Sequence, residues 1–196
     1  MPADLVRVAH ALDFACRKHA TQRRKGEGQE PYVNHLAEVA RLVAEATAGT
    51  DANLVIAALL HDAVEDQGVG REEIATVFGE DVAELVMEVT DDKRIPKADR
   101  KRLQVEHAAR ISRRARVLKI ADKTSNLRSM QHSPPAWPLA RKQRYFAWAR
   151  AVVAGARGVN PWIEAAFDIE YECAIGAGLA ARDFVWHPEL ETEGDD

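Results

Sequence analysis

The chain has 196 residues, of which 46% are hydrophobic and 30% are charged, and its net charge is -4. This composition is typical of a folded domain with an ample core and excludes a disordered chain. The negative charge gives no overall attraction to nucleic acid or to anionic membranes. No signal-peptide pattern is present, and no apolar run approaches the ~20 residues of a membrane span, so we expect a cytoplasmic protein. Cys16 and Cys173 have no neighbouring cysteine, which predicts buried, reduced thiols.

Helical periodicity runs through most of the chain, and strand patterns are nearly absent. The predicted helices, in chain order, cover residues 4–20, 32–48, 51–66, 71–78, 81–92, 97–111, 114–130, 139–156 and 161–182. Glycines and prolines interrupt the pattern between them, above all in the loop 21–31 and the segment 133–138. We therefore predict a single all-α domain, a bundle of roughly eight to ten helices over residues 1–182, followed by an acidic tail over residues 183–196.

The segment His61–Asp66, with the sequence HDAVED, places one imidazole and three carboxylates directly after the apolar run 54–60. The apolar run indicates a buried helix. Ionisable groups at its end need compensation, because burying a charge without a partner costs several kcal/mol or more. A bound cation would provide that compensation. The alternative is that these groups reach the surface where the helix leaves the core.

Two other segments offer side chains that bind metals, His35 in PYVNHLAEVA and Asp122 in VLKIADKTSNLR. With His61 and Asp62 they would form a site of two imidazoles and two carboxylates. That mixture favours Mn²⁺, Fe²⁺, Co²⁺ or Zn²⁺ over Ca²⁺ or Mg²⁺, which prefer oxygen ligands alone. Taken singly, each residue has an ordinary structural interpretation as a helix cap, a surface acid or a core histidine.

The two remaining carboxylates of this segment have a regular spacing. Glu65 follows His61 by four residues, and Asp66 follows Asp62 by four, so each pair would share a helix face. A divalent cation lowers the pKa of bound water, and nearby carboxylates can orient that water or accept its proton. We therefore predict that Glu65 and Asp66 handle an attacking water and are not ligands.

Basic side chains lie close in sequence to two of the predicted ligands. Arg23, Arg24 and Lys25 occupy the loop before His35 and are suited to binding phosphates or stacking on a base. A second basic group surrounds Asp122 in sequence: Arg113, Arg114, Arg116, Lys119 and Lys123. We interpret the three arginines of that group as solvated surface residues. Arg24 and Lys25 in the loop, in contrast, predict an anionic small-molecule substrate.

The ordered combination of RRK, PYVNH, HDAVED and KIADKTSNLR resembles the HD-domain phosphohydrolases. Within them it is most similar to the hydrolase domain of the RelA/SpoT alarmone enzymes and to stand-alone small alarmone hydrolases, over roughly residues 5–182. The resemblance implies four protein ligands to a metal ion that is usually Mn²⁺: His35, His61, Asp62 and Asp122. It also implies that Glu65 and Asp66 are the catalytic acidic pair.

The resemblance further implies a set of contacts to a guanine nucleotide: Arg24, Lys25, Asn126 and Tyr145. The family often has His-Pro at the first ligand, where this chain has His35-Leu36. That difference could alter the start of the second helix but leaves the imidazole in place.

The function implied by this reasoning is metal-dependent removal of the 3′-pyrophosphate of guanosine tetra- or pentaphosphate, which leaves GDP or GTP. The nearest alternative is a related hydrolase for an adenosine alarmone, the 2′-phosphate of NADPH or a nucleoside monophosphate. A nucleotide-binding module without turnover is a second alternative, against which the intact Glu65-Asp66 pair argues. A plain helical scaffold would make the four matched ligands a coincidence. The expected partner is the nucleotide itself, with no nucleic acid and no membrane.

Overall fold

A computed structural model describes residues 2–191, which form ten α-helices and one 3₁₀ turn at Pro188–Leu190. The helices are α1 (Pro2–Lys18), α2 (Val33–Ala46), α3 (Ala52–Leu60), α4 (Ala63–Gln67), α5 (Arg71–Phe78), α6 (Glu80–Val89), α7 (Lys97–His107), α8 (Arg113–His132), α9 (Leu139–Ala156) and α10 (Pro161–Gly176). Within this part of the chain, β-type pairing is limited to one bridge between Arg23 and Pro31. The predictions of an all-α fold and of eight to ten helices are confirmed.

The centre of the fold is α3, which packs against α1, α2 and α6. Apart from Asn53 its residues are apolar because most of its surface is covered, and Leu54, Ile56 and Leu60 are almost completely buried. Burial of side chains of this size stabilises the fold by about 1.5–3 kcal/mol each. Asp51 caps the helix through Leu54 N–H at 3.0 Å, as the sequence predicts.

The helix predicted over residues 51–66 is wrong in one respect, since α3 ends at Leu60 and α4 begins at Ala63. His61 and Asp62 form the turn between them, and a bond from Asp66 N–H to the Asp62 carbonyl, 2.8 Å, resumes the helix. On a continuous helix adjacent side chains diverge by about 100°. The turn instead brings His61 Nε2 and Asp62 Oδ2 to 3.2 Å from each other.

Three predicted helix ends lie too far along the chain, because α6, α7 and α10 end at Val89, His107 and Gly176. After α10 the chain turns at Gly178, whose φ of +71° is readily adopted only by glycine. The N–H groups of Leu179 and Ala180 both bond back to the carbonyl of residue 174, which closes the helix before the predicted end at 182.

Both cysteines are free and exposed, so the prediction of buried thiols is wrong. Cys16 lies in α1 and Cys173 in α10, each on the outward face of an otherwise packed helix. Among the described residues, no helix combines the length and the apolar character that crossing a bilayer requires.

The segment after residue 182 packs on the helical domain as far as Glu191. Trp186 is buried, and the Arg150 guanidinium donates to the carbonyls of Arg182 at 2.7 Å and of Phe184 at 2.9 Å. The remainder of the predicted acidic tail, residues 192–196, lies outside the described residues.

Candidate active site

Four side chains from different helices meet at the centre of the fold. His35 comes from α2, His61 and Asp62 from the turn between α3 and α4, and Asp122 from α8. His35 Nε2 lies 3.7 Å from Asp62 Oδ2 and 3.4 Å from Asp122 Oδ1. His61 Nε2 lies 3.2 Å and 3.9 Å from the same two oxygens. The structure therefore brings together all four residues that the sequence predicted as ligands.

A chain of hydrogen bonds orients the His35 imidazole. Its Nδ1 lies 2.9 Å from Ser125 Oγ, and that hydroxyl donates to Glu38 Oε2 at 2.7 Å. Since the hydroxyl proton is directed at Glu38, Nδ1 must carry the proton in the bond to Ser125, which leaves the Nε2 lone pair directed at the carboxylates. Burial and the nearby Arg24 charge lower the pKa of His35, so the ring is neutral.

The His61 imidazole is oriented in the same sense by the backbone. Its Nδ1–H donates to the Ala58 carbonyl at 2.8 Å. Its Nε2 is buried and forms no hydrogen bond within the described residues, although Asp62 Oδ2 is 3.2 Å away. Burial lowers the pKa of His61, but the charge of Asp62 and then that of Asp122 outweigh burial and raise it to about 9.

Each carboxylate of the cluster is held by donors on its outer side. Asp62 Oδ2 accepts from the Tyr32 hydroxyl at 2.7 Å. Asp122 accepts from Asn126 Nδ2 at 2.6 Å, and its other oxygen lies 3.1 Å from Lys123 Nζ. Burial alone would raise the pKa of both carboxyls. The positive charge of His61 outweighs burial at Asp62, and that of Lys123 outweighs it at Asp122, so both pKa values lie well below their usual range.

These four groups fit a divalent transition-metal ion. Ligand atoms of His35, His61 and Asp62 lie within 4.8 Å of one another, and Asp122 Oδ1 lies within 3.9 Å of both imidazoles. The buried His61 Nε2 without a hydrogen bond is the kind of orphaned atom that a metal ion satisfies. Two neutral imidazoles and two carboxylates would also balance the charge of such an ion.

Glu65 and Asp66 lie in α4 and face the same cavity, but their surroundings differ. Burial, followed by the negative charges of Asp91, Asp62 and Asp66, raises the pKa of Glu65 to about 7. Glu65 Oε2 accepts a long hydrogen bond from the Asp91 N–H, at 3.3 Å. Asp66 instead accepts from Lys93 Nζ at 2.5 Å, and a second strong donor holds its other oxygen.

That second donor is Gln22, whose Nε2 lies 2.7 Å from Asp66 Oδ2. The Gln22 amide is itself fixed, because its Oε1 is 2.5 Å from Gln67 Nε2 and 2.6 Å from His19 Nδ1. His19 is buried and stacks on the Tyr32 ring, with centroids 5.4 Å apart. One network from the end of α1 thus reaches both Asp66 and, through Tyr32, the Asp62 carboxylate.

The four predicted substrate contacts line the same cavity: Arg24, Lys25, Asn126 and Tyr145. Arg24 Nη2 donates to Asn126 Oδ1 at 2.8 Å, and its guanidinium lies 5.5 Å from the centre of the Tyr32 ring. Because Asn126 also donates to Asp122, these two residues support a carboxylate of the cluster as well as facing the cavity. Tyr145 packs between Trp137 and Trp148, both of which border the cavity.

The cavity has a volume of about 580 Å³ and a strongly basic lining. Its acidic side chains are Asp62, Glu65, Asp66, Asp91, Asp122 and Glu191. Its basic side chains are Arg23, Arg24, Lys25, Lys93, Lys97, Arg100, Lys101, Lys119, Lys123, Arg141 and Arg144. With eleven basic groups and six acidic ones, the cavity lining is positive, whereas the net charge of the whole chain is negative. A positive lining favours an anionic ligand with several charges.

The basic residues around Asp122 divide into two groups. Lys119 and Lys123 are buried and line the cavity, where burial and the Lys123 charge lower the pKa of Lys119. The three arginines brace the fold: Arg114 binds Asp51 and Asp81, while Arg113 and Arg116 donate to backbone carbonyls. The sequence predicts that these arginines are solvated surface residues, and the structure shows that they also form hydrogen bonds that stabilise the fold.

Several residues of the site were not predicted from the sequence: Gln22, Tyr32, Glu38, Lys93, Lys101, Ser125 and Glu191. Most of them belong to the site through one long-range contact, such as Gln22 with Asp66 or Ser125 with Glu38. No local sequence pattern indicates such a contact. Tyr32 had one available signal, its place directly after Pro31 and three residues before a predicted ligand.

A family model described as "HD domain" matches residues 11–149. Two relatives, from Xenopus tropicalis and Homo sapiens, are both named guanosine-3′,5′-bis(diphosphate) 3′-pyrophosphohydrolase MESH1. The Xenopus protein is 46% identical over 169 residues, which cover 86% of this chain and 94% of the relative. The human protein is 46% identical over 167 residues, which cover 85% and 93%.

Two solved structures share the fold. One is a metazoan ortholog of SpoT, described as hydrolysing ppGpp and playing a role in starvation responses. It has a TM-score of 0.82 and 43% identity, over 85% of this chain and 94% of that one. The other is lmo0812 from Listeria monocytogenes EGD-e, with a TM-score of 0.61 and 30% identity, over 74% of this chain and 98% of that one.

Proposed function

Because this chain belongs to the HD-domain family, we propose that it is a guanosine-3′,5′-bis(diphosphate) 3′-pyrophosphohydrolase. It removes the 3′-pyrophosphate of ppGpp or pppGpp and leaves GDP or GTP. The observation that carries the proposal is the juxtaposition of the four-ligand cluster with the Glu65-Asp66 pair in one basic cavity. The MESH1 relatives carry that activity in their names, and this chain spans nearly their full length.

The enzyme is metal-dependent, as HD-domain hydrolases are, and we propose Mn²⁺ as its ion. His35, His61, Asp62 and Asp122 would hold it, a mixed set of nitrogen and oxygen donors that suits this metal. When bound, the ion would supply positive charge to a phosphate and lower the pKa of a water molecule. The bonds that the two Nδ1–H groups donate to Ser125 Oγ and to the Ala58 carbonyl keep the imidazoles in the tautomer that binding requires.

Glu65 and Asp66 divide the proton handling between them. Asp66 is held by Lys93 and Gln22, so it is a fixed negative group that orients the attacking water. Glu65, with a pKa of about 7, can take the proton of that water near neutral pH. The water oxygen bonds to the phosphorus next to the ribose, the bond from phosphorus to the 3′ oxygen breaks, and Glu65 can return the proton to that oxygen.

The basic lining of the cavity supports a nucleotide polyphosphate as the class of substrate. Arg24 and Lys25 are proposed to hold the nucleotide, with Asn126 and Tyr145 as further contacts. Charge-assisted hydrogen bonds from guanidinium and ammonium groups are among the strongest that phosphates form in proteins. A nucleotide with two diphosphate groups matches a cavity whose basic groups outnumber its acidic groups.

The direct test is hydrolysis by the purified protein. With Mn²⁺ and ppGpp we expect release of pyrophosphate and GDP in equal amounts, and no release after chelation. A panel with an adenosine alarmone, NADPH and nucleoside monophosphates identifies the preferred substrate. Faster hydrolysis of any of these would reject the guanosine alarmone, and binding without product would indicate a module without turnover. The proposed compartment is the cytoplasm, where the free thiols of Cys16 and Cys173 remain reduced.

A further inference from the structure

The C-terminal segment places a carboxylate on the wall of the substrate cavity. The Glu191 side chain is 4% exposed and lines the cavity that also contains Asp62 and Asp122. Its oxygens accept from Lys101 Nζ at 2.7 and 2.8 Å and from Trp186 Nε1 at 2.9 Å. A buried carboxylate with these partners is a defined part of the cavity wall.

Lys101 is positioned by contacts that do not involve Glu191. Its backbone carbonyl, in α7, accepts from Trp148 Nε1 at 3.1 Å. Its Nζ lies 5.0 Å from the centre of the Trp148 ring and 5.9 Å from that of Tyr145, a proposed substrate contact. The ammonium group would therefore still face the cavity if the carboxylate left it.

The same indole links Lys101 to the metal centre. Lys123 Nζ lies 4.3 Å from the centre of the Trp148 ring and 3.1 Å from Asp122 Oδ2. One aromatic ring thus contacts two ammonium groups, of which one touches a proposed ligand and the other binds Glu191. A polyphosphate anchored at the metal centre would meet Lys101 within the same cavity.

We propose that Lys101 is a phosphate-binding residue of the cavity and that Glu191 occupies it while no substrate is bound. The proposal rests on the proposed function, in that the ligand is a nucleotide polyphosphate. Carboxylate and phosphate oxygens accept from the same ammonium donor, so they compete for it. The apparent affinity for substrate is then reduced by the fraction of molecules in which Lys101 is available.

Glu191 follows the residues that anchor the C-terminal segment to the helical domain. The anchors of this segment are the Arg150 bonds to the carbonyls of Arg182 and Phe184, and the buried Trp186 ring. These anchors precede the 3₁₀ turn Pro188–Leu190, which separates Trp186 from Glu191. A local rearrangement after residue 187 would break the Glu191 bonds to Lys101 and Trp186 while the two Arg150 bonds remain in place.

The test is the variant Glu191→Gln, studied in the full chain loaded with Mn²⁺. Two measurements are made: KM for ppGpp, and the Kd of GDP and of inorganic pyrophosphate by calorimetry. We expect KM, and the Kd of at least one probe, to fall about threefold to tenfold, because the neutral amide competes less well. The control is Glu189→Gln, an exposed residue two positions earlier, which should leave all values unchanged.

A double-mutant cycle identifies the partner. Lys101→Gln should raise KM several-fold, and Glu191→Gln should have no further effect in that background. The proposal is overturned if Glu191→Gln behaves as Glu189→Gln does, or if it weakens binding, which would make Glu191 a residue that positions Lys101. A wild-type protein that hydrolyses no alarmone would reject the proposed function, while the two calorimetric probes would still decide whether Glu191 competes for Lys101.

Discussion

The two imidazoles of the metal centre differ in protonation before an ion binds. His35 is neutral because burial and Arg24 lower its pKa, whereas Asp62 and Asp122 raise the pKa of His61 to about 9. His61 must therefore release a proton when an ion binds. Ionisable groups that differ this strongly within one cluster are typical of a functional centre.

The first prediction separates ligands from the groups that handle water. Asp62→Asn should weaken Mn²⁺ binding by at least about tenfold, since it removes a ligand charge. Glu65→Gln should bind Mn²⁺ as the wild type does but lower kcat by about a hundredfold or more. Metal content by calorimetry and turnover by pyrophosphate release check both. Loss of metal in Glu65→Gln would show that Glu65 is a ligand.

The second prediction concerns pH. Glu65 acts as a proton acceptor, so kcat should fall as pH falls through its pKa, which is about 7 without an ion and lower beside one. The profile should be recorded at saturating Mn²⁺, because protonation of His61 weakens metal binding independently. In Glu65→Gln the acid limb due to this group should vanish, and an unchanged limb would assign it elsewhere.

At the scale of elements, the loop between α1 and α2 is fixed to the end of α8. Glu27 N–H donates to the Pro134 carbonyl at 3.3 Å, and Gly28 N–H donates to Ser133 Oγ at 3.0 Å. Gly26 is buried at this junction, and a Cβ there would lie 2.1 Å from the Ser133 carbonyl oxygen. The close approach holds the loop that carries the proposed nucleotide contacts.

The third prediction follows from that approach. Gly26→Ala should push the loop away from Ser133, raise KM for the nucleotide several-fold and lower the free energy of unfolding by about 1–3 kcal/mol. Gly28→Ala is the control, because the tightest contact of its Cβ would be the Ser133 side-chain oxygen at 3.1 Å and not the backbone. Equal effects of the two substitutions on KM would show that the backbone contact at Gly26 does not position the loop.

Helical periodicity predicted most of the helices, including α9 over 139–156, because apolar residues that recur about every 3.6 positions form the buried face of a helix. It did not predict the break at His61-Asp62, since the apolar run continues into helix-compatible residues without a glycine or proline. The break depends on what the two side chains meet in α2 and α8. That information is absent from the local pattern.

At the scale of the molecule, four ligands from distant parts of the chain meet because α2, α3 and α8 pack together. The four residues could be predicted because their order in the chain matches a family pattern. Contacts such as Gln22 with Asp66 and Lys101 with Glu191 could not, because they join residues 44 and 90 positions apart and follow no pattern. Only the packed helices bring them together.

The fourth prediction is that metal loading stabilises the whole molecule. An ion that binds only the folded chain adds about 2.7 kcal/mol at a concentration of 100 times Kd. For a chain of this size that is an increase in Tm of roughly 5–11 °C. Differential scanning calorimetry with Mn²⁺ and with chelator checks it. Asp62→Ala is the control, whose Tm should respond less to Mn²⁺, and a response equal to that of the wild type would place the ion elsewhere.

The four proposed ligands lie far apart along the chain, so they become available at different times during synthesis. A ribosome releases His35, His61 and Asp62 early, but the fourth donor follows 60 residues after the third, near the middle of α8. A nascent chain shorter than this offers at most three donors and lacks the Ser125 hydroxyl that orients the first imidazole. Complete metal capture therefore requires a chain that has extended through α8, but it does not require the wall formed by α9 and Glu191.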